Sequence, residues 1–423
     1  MRMKFTRSSQ LVLVSAAGLL AATLVTACSQ FTQTLTVDFV YIASSRAAGP
    51  DNYGEIDVFE INSESGRMRQ IPTSPFPSDG RNPVAEAVSS DNGSLFVVNH
   101  DDNTIVQFVI GSDGKLYPFN TVNTPGVYPM AVTTTKSDLF VVDTYQPLPI
   151  ASTAHPCSGS IAVYPLTAAT SSNPVALGSP ASNTAVSGNY WPLALPGANS
   201  DASHCTSSGH VIVPTAVNVL ASGAYIYVTA YDSSVSPGAG YIFGFSVGSD
   251  GTLTPLSGSP FAAGIQPSAI ASNAAGSYLY ATDFASANIL AYSISSGNLT
   301  PLAGSPFPAG NQPSAIVVNP TYNFAYVANS LDGNVIAYSI SNGALSRIGT
   351  YAAGLQPVAI GIDPSTNRFL YAINFLGNTV AGYQLSTTSG TLLNSQFSPY
   401  PTHANPTAVA AIPHNGTGAG IQK

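Results

Sequence analysis

Charge is the scarcest commodity in this chain. Lys and Arg number 12 and Asp and Glu 20 in 423 residues, so charged side chains make up 8% of the sequence, against roughly a quarter in ordinary soluble domains. The formal net charge is -8. So few cations exclude a nucleic-acid surface, which needs clustered Lys and Arg to neutralise phosphate. The same shortage, with no A/E/K/L/R-rich stretches, excludes a coiled coil or a helical bundle. Cysteine is nearly absent: Cys28, Cys157 and Cys205 are the three in the chain, and none has the CxxC spacing of a redox or zinc site. Trp occurs once, against 21 Tyr and 18 Phe. Gly (37) and Pro (32) are frequent but fall below the share of about 25–30% that marks a disordered chain. A hydrophobic fraction of 44% is enough to build a core.

The N-terminus reads as an address. Leu11 to Val25 is an uncharged apolar run of 15 residues, short of the roughly 20 that span a bilayer. Arg2, Lys4 and Arg7 precede it, the layout of a secretory signal. The run ends in Val25-Thr26-Ala27-Cys28, which resembles the bacterial lipoprotein cleavage box. On that resemblance residues 1–27 are the signal peptide, Cys28 is lipidated, and 28–37 form a short spacer. An ordinary secretory signal or a short anchor helix is the alternative. Ser29 after the cysteine implies, by the sorting rule of that class, an outer-membrane location, with membrane contact through the lipid anchor alone. Loss of the signal leaves nine basic against 20 acidic residues. In an oxidising envelope Cys157 and Cys205 are expected to form a disulfide, with two free buried thiols as the alternative.

The remainder repeats itself. A Pro-x-Ala-(Val/Ile) element occurs as YPMAV at 128–132, VPTAV at 213–217, QPSAI at 266–270 and 312–316, QPVAI at 356–360 and NPTAV at 405–409, with the variant NPVAEAV at 82–88. A Tyr/Phe-led strand follows each copy but the last, as in YLYATD at 278–283 and FAYVAN at 324–329, and VYIAS at 40–44 opens that series. A third element alternates apolar and polar residues, from GEIDVFEI at 54–61 to NTVAGYQL at 378–385. The fourth is turn-rich, as in LTPLSGSPFAAG at 253–264. Each unit is four short strands punctuated by Gly, Pro and Asn. The later prolines, 267, 313, 357 and 406, are spaced by 46, 44 and 49 residues, the period of a propeller blade.

The chain is therefore expected to be all-β, a seven-bladed β-propeller of four-stranded blades over 38–413. It opens on a second strand and ends on the missing first strand, NPTAVAAIP at 405–413. The C-terminal strand should complete the first blade and close the ring, hiding sheet edges. Residues 414–423 read as a flexible tail. Between LFVVD at 139–143 and IYVTA at 226–230 the spacing is about twice the blade period. Two insertions, 144–158 and 181–212, account for it and should emerge on one face. They hold Cys157, Cys205, Trp191, His155, His204 and His210, and long loops on a rigid scaffold are where function concentrates.

The YVAN, YATD and AYSI repeats, the LTPLxGSPFPAG turns and the Pro-x-Ala strands resemble the seven-bladed lactonase propeller family, the 6-phosphogluconolactonase-like group with YVTN repeats. The resemblance spans about residues 38–413. It implies lactone hydrolysis by His, Arg and Glu at strand ends facing the channel mouth. Where that family has Pro-Arg-His, this chain has Gln312-Pro313-Ser314-Ala315; where it has Asn-Glu-Leu, this chain has Asn329-Ser330-Leu331.

Two sets of residues are candidates on that face. Asn82, Gln266, Gln312, Gln356 and Asn405 precede first-strand prolines, and Asn99, Asp143, Asp283, Asn329 and Asn374 end second strands. Such a ring suits a glycan or another small hydroxylated ligand; the other account is that strand-end Asn and Asp satisfy turn backbone. His100-Asp101-Asp102 with Arg81 is the candidate acid–base group, a turn of solvated charges being the alternative. His155, His204 and His210 match no metal-ligand spacing. The lone Trp excludes a tryptophan-repeat quinone propeller, and phosphate loops and nucleophile elbows are absent. No metal or cofactor is expected, and the chain is expected to be a monomer. Two functions follow: a lipid-tethered binding or scaffold module for a glycan, small hydroxylated ligand or envelope protein, and a lactonase using His100, Asp101 and Arg81.

Overall fold

The computed structural model describes residues 36–46, 53–147, 157–170, 172–197 and 210–414. These form seven antiparallel sheets, and no helix occurs among the described residues. Blade 2 is the simplest: Pro83–Val88, Ser94–Asn99, Thr104–Ile110 and Leu116–Asn123 pair in chain order. The innermost strands of blades 3 to 7 are Val127–Thr134, Ile212–Val219, Pro267–Ser272, Pro313–Val318 and Pro357–Ile362. Blade 1 takes its innermost strand from the end of the chain. Ala404–Pro413 pairs with Thr36–Arg46, placing Ile412 opposite Phe39 and Val409 opposite Ile42. The seven inner strands then neighbour one another in a complete circuit, so the seven-bladed ring and its C-terminal closure are as the repeats imply.

Alternation within the repeats explains the packing. A strand sends successive side chains to opposite faces, and in a radial blade both faces meet a neighbouring blade. Second strands are accordingly buried throughout, as in Ser94–Asn99 and Phe324–Asn329. The core consists of seven apolar clusters, one at each seam. The seam between blades 7 and 1, where the ring closes, has its own apolar cluster with Val40, Ile42, Tyr371 and Ile373.

The aromatic-x-Tyr lead of the second strand has a defined task. The two aromatics share a face. Tyr41, Tyr227, Tyr280 and Tyr326 donate their hydroxyls to the carbonyls of Gly114, Gly297, Gly343 and Gly390, each in the third-to-fourth strand turn of the next blade, at 2.7–3.1 Å. The preceding aromatic packs on the same glycine: a Cβ on Gly343 would stand 2.6 Å from Tyr278, at a φ of +83° that favours glycine anyway. Each such pair buckles one blade to the next. The Ser of the repeated Ser-Pro turn is equally local in purpose. Ser74, Ser259, Ser305 and Ser398 accept the amides of Val58, Gly244, Ala291 and Gly382, where the fourth strand breaks away from the third.

Part of one insertion belongs to the blade. Trp191–Pro192 pairs with Ile161 and Ser160 of blade 3, and Trp191 is 6% exposed in the seam to blade 4. Trp191 is thus a core residue and is not displayed on the loop face, because an indole is worth far more buried between blades than left in water. Cys157 is fully buried. Cys28, His155, His204 and Cys205 lie outside the described residues.

Candidate functional site

First strands begin, and second strands end, on one face, so the turns carrying the candidate residues ring the mouth of the axial channel. The residue before the first-strand proline is held at positive φ in Asn82, Tyr128, Gln312, Gln356 and Asn405 (53–58°), a conformation that L-residues rarely adopt. In three of these its carbonyl accepts the amide just past the second strand: His100 N to Asn82 O (3.0 Å), Ser330 N to Gln312 O (2.8 Å) and Phe375 N to Gln356 O (2.9 Å); Gln266 O accepts Phe284 N (2.9 Å) in the same way without a positive φ. The side-chain amides of Gln266, Gln312 and Gln356 take no hydrogen bond among the described residues and are partly exposed.

The strand-end set behaves differently. Asn99, Asp143, Asp283, Asn329 and Asn374 are at most 2% exposed and hold the turns from beneath. Asp283 accepts the amides of Ile265 and Gln266 at 2.9 and 3.0 Å, Asp143 that of Gly126 at 3.0 Å, and Asn329 that of Gly310 at 3.0 Å. Close approach is needed: a Cβ on Gly264 would lie 2.1 Å from Asp283 Oδ2. These five residues therefore sit below the ligand-accessible surface; Asp143, Asp283 and Asn329 accept turn amides, while Asn99 donates to Thr104 at 3.3 Å and Asn374 to the Ala353 carbonyl at 3.2 Å. Burial raises the Asp143 carboxyl to about 7, with bonds from Thr124 and Gly126 pulling the other way.

The acid–base candidates do come together. His100 Nδ1 lies 2.7 Å from Asp101 Oδ1, and Asn82 Nδ2 donates to the same oxygen at 3.1 Å. Burial pushes the Asp101 carboxyl up, but the bonds from His100 and Asn82 and the charges of His100 and Arg81 outweigh it and hold it below the usual range. An ionised Asp101 can only accept, so His100 Nδ1 is the donor, and in the neutral imidazole Nε2 carries the lone pair. Nε2 takes no hydrogen bond among the described residues. The imidazole stacks on Tyr128 at 4.8 Å and 14°, and Tyr145 meets Tyr128 edge-on at 6.2 Å. Arg81 is tied to Asp102 through Nε (2.6 Å) and Nη2 (2.5 Å), which offsets its charge.

Two further imidazole–carboxylate pairs lie on this face. His210 Nδ1 is 2.5 Å from the buried Asp232. His403 Nδ1 is 2.8 Å from the fully buried Asp57, with Nε2 3.5 Å from Glu55, while Gln70 donates to Asp57 at 2.7 Å. The His403 pair was not foreseen from the sequence, although Asp57 stands where the third strands of other blades have Val106, Ala162, Phe243, Leu290, Ile336 and Ala381. Among the described residues no group of three His, Cys, Asp or Glu could hold a metal ion.

Below the mouth an axial cavity of about 330 Å³ is lined by all seven inner strands. Ser268, Ser314 and Thr407 bridge these strands, donating to the carbonyls of Pro313, Pro357 and Pro83 at 2.5–2.7 Å.

Comparison with known proteins follows this geometry. The family described as "Lactonase, 7-bladed beta-propeller" matches residues 39–177 and 298–410. A search of curated proteins finds no match. Among solved structures, a candidate 6-phosphogluconolactonase from Bacteroides fragilis is 18% identical with a TM-score of 0.69, covering 90% of this chain and 99% of that one. A periplasmic gluconolactonase from Pseudomonas aeruginosa is 17% identical with a TM-score of 0.63, covering 89% and 99%. A protein from Lactobacillus plantarum is 16% identical with a TM-score of 0.64, covering 89% and 100%. The family match over more than half of the chain, on a ring of seven four-stranded blades, makes this protein a member of the seven-bladed β-propeller lactonase family.

Proposed function

We propose that the channel-mouth face binds a sugar-like lactone and hydrolyses it, with His100 as general base. The observation that carries this reading is the His100–Asp101 pair stacked on Tyr128, with Nε2 unbonded. Asp101 fixes the imidazole, and Nε2 takes a proton from water as that water attacks the lactone carbonyl. The ring C–O bond then breaks, and the imidazolium returns its proton to the leaving alkoxide, giving the hydroxy acid. The free amides of Gln266, Gln312 and Gln356 supply hydrogen bonds for ring hydroxyls. That related solved structures are named as gluconolactonases supports the substrate class.

A second reading is a glycan- or hydroxylate-binding module without chemistry, and the pairing of Arg81 with Asp102 favours it, since an oxyanion would find that cation already engaged. Turnover of a panel of sugar lactones separates the two. A rate falling about 10²–10⁴-fold in His100→Ala supports hydrolysis. Saturable gluconate binding without turnover in the native chain assigns the binding module.

We place the protein in the cell envelope, lipidated at Cys28 and bridged between Cys157 and Cys205. Cys157 has the character of a half-cystine, and a periplasmic relative supports the location. Thr36 starts a second strand, hence at the end of the ring away from the mouth, so a tether at Cys28 would turn the candidate face away from the membrane. Radiolabelled palmitate incorporation lost in Cys28→Ser tests the tether.

A further inference from the structure

We propose that the seam closing the ring carries a proton-operated latch at its end away from the mouth, made by Asp38 of blade 1 and Asp363 of blade 7 and fastened while the two share one proton. This seam differs from its neighbours in how it is tied. Tyr371 holds the place in blade 7 that Tyr41, Tyr227, Tyr280 and Tyr326 hold in theirs, and the aromatic before it, Phe369, packs on Gly66 of blade 1 in the usual way. The Tyr371 hydroxyl is nevertheless buried without a hydrogen-bond partner, so the buckle of the other tyrosine-bearing blades is open here. Both carboxyl groups act on Tyr371. Asp38 is fully buried at the start of its strand, opposite Ile61 on one side and Pro413 on the other. The other six blades have Gly93, Ser137, Ala224, Ser277, Asn323 and Arg368 at that position, so the acid is peculiar to the closing seam.

The turn that meets Asp38 decides which carboxyl keeps the proton. Asp363 accepts the amide and hydroxyl of Thr366 and the amides of Arg368 and Phe369 at 2.6–2.8 Å, which suits a carboxylate that only accepts. It lies within hydrogen-bond reach of Asp38. Ser365 of the same turn donates its hydroxyl to Asp38 Oδ1 at 2.5 Å, and Asp38 Oδ2 receives no donor. Two carboxylates in one buried site resist ionising together, so Asp38 holds the proton and offers it to Asp363. Burial raises the Asp38 carboxyl to about 7, against the Ser365 bond and with the Asp363 charge adding to it. The elements packed there also contribute Tyr371 and Tyr400, whose hydroxyls burial keeps protonated, and Arg67, which lies over the Phe397 ring at 4.6 Å. Glu60 is paired with Arg69, Arg368 makes no ion pair among the described residues, and His414 lies against Phe39 at 5.2 Å. When the 363–368 turn parts from Asp38, water returns the acid toward its ordinary 3.8 and the proton leaves. The latch is therefore intact below 3.8, loosens by about tenfold per pH unit above it, and levels off past about 7. The apolar cluster of the seam and the bond from Gln384 to the Ser65 carbonyl (2.7 Å) do not titrate, so the opening is local.

Hydrogen exchange of the whole chain, followed by mass spectrometry between about pH 5 and about pH 8.5, tests this on residues 36–42 and 363–371, the two sides of the latch. Residues 319–326 of blade 6 are the reference, since the matching turn there is held by the neutral Asn319. Protection, taken against the intrinsic rate at each pH, should fall about tenfold per pH unit up to about pH 7 and then level off, at the latch and not in the reference. Asp38→Asn supplies an amide of the same shape that donates to Asp363 and does not titrate. Its protection should be flat with pH and exceed that of the native chain at about pH 8 by more than about tenfold. Ser365→Ala, at an exposed position, removes a donor that favours the ionised form, so the levelling should move to higher pH. Native protection that is flat with pH, a reference that falls in step, a native slope kept by Asp38→Asn or a levelling that Ser365→Ala leaves in place overturns the proposal.

Discussion

Glu86 should weaken the fold, by an amount the structure sets. Two carboxyl oxygens are buried without a partner, a loss of about 1–3 kcal/mol relative to a group with nothing to satisfy. Valine is tolerated at the same register in three other blades, at Val132, Val217 and Val409, so Glu86→Val should raise stability by about 1–3 kcal/mol at neutral pH. The pH dependence has a definite sign. Burial holds the folded-state carboxyl well above its ordinary value of 4.5, with the Ala410 backbone pulling slightly the other way. The native chain keeps a proton that the unfolded chain releases, so this residue's contribution is intact below 4.5 and is lost as pH rises, at up to about 1.4 kcal/mol per pH unit. Asp38 and Asp143, each raised to about 7 mainly by burial, slope the same way, but they are common to both chains and cancel in the difference. Urea unfolding of wild type and Glu86→Val at about pH 5 and about pH 8 isolates the term, and the gap should widen toward the alkaline end. A gap independent of pH, or a valine variant less stable than wild type, would show that the carboxyl has partners that the seam does not reveal.

Closure of the ring makes the C-terminal strand essential. Ile412 is fully buried opposite Phe39, and Ile412→Asp should cost about 4 kcal/mol or more and abolish cooperative unfolding in circular dichroism. Tyr280→Phe leaves the Gly343 carbonyl without its 3.0 Å donor and should cost about 1–2 kcal/mol in urea titrations. Gly343→Ala, at φ +83° and 2.6 Å from Tyr278, should cost more than Tyr280→Phe, since the tyrosine ring is itself held in the seam; equal or smaller losses would refute the buckle. Tyr128→Ala removes the surface on which His100 stacks and should lower turnover of a lactone substrate about tenfold or more while the fold stays intact by circular dichroism.

The ring was legible in the sequence because every blade writes the same four strands, and the missing first strand of blade 1 reappears at 404–413. Side-chain tasks within the repeat were less legible. Asn99, Asp143, Asp283, Asn329 and Asn374 look from spacing alone like a polar rim, yet strand pairing puts them beneath the turns, where the amides of Gly126, Ile265 and Gly310 need acceptors. Period-2 alternation gives a residue's face but not its depth along the axis. Trp191 was misplaced for a related reason: an insertion counted by length conceals a two-residue strand that returns to blade 3. The link between Tyr280 and Gly343 joins residues 63 apart in sequence, and only the angle between blades brings them together.

A repeat protein offers a control that single-copy folds lack, because six other blades define what each position requires for folding alone. Charged residues at positions that are apolar elsewhere then divide by whether the structure completes them. Asp57 replaces an apolar residue in the third strand and is fully met by Gln70 and His403, so it holds together the turn where the ends of the chain join. Glu86 replaces an aliphatic residue in the first strand, and neither of its oxygens has a hydrogen-bond partner. Packing cannot account for a group that packing would expel. His100 differs from both, since one ring nitrogen is bound and the other is free toward solvent. A partnered charge maintains the ring, a half-partnered imidazole is suited to move a proton, and an unpartnered acid buried in a seam weakens the ring that holds it.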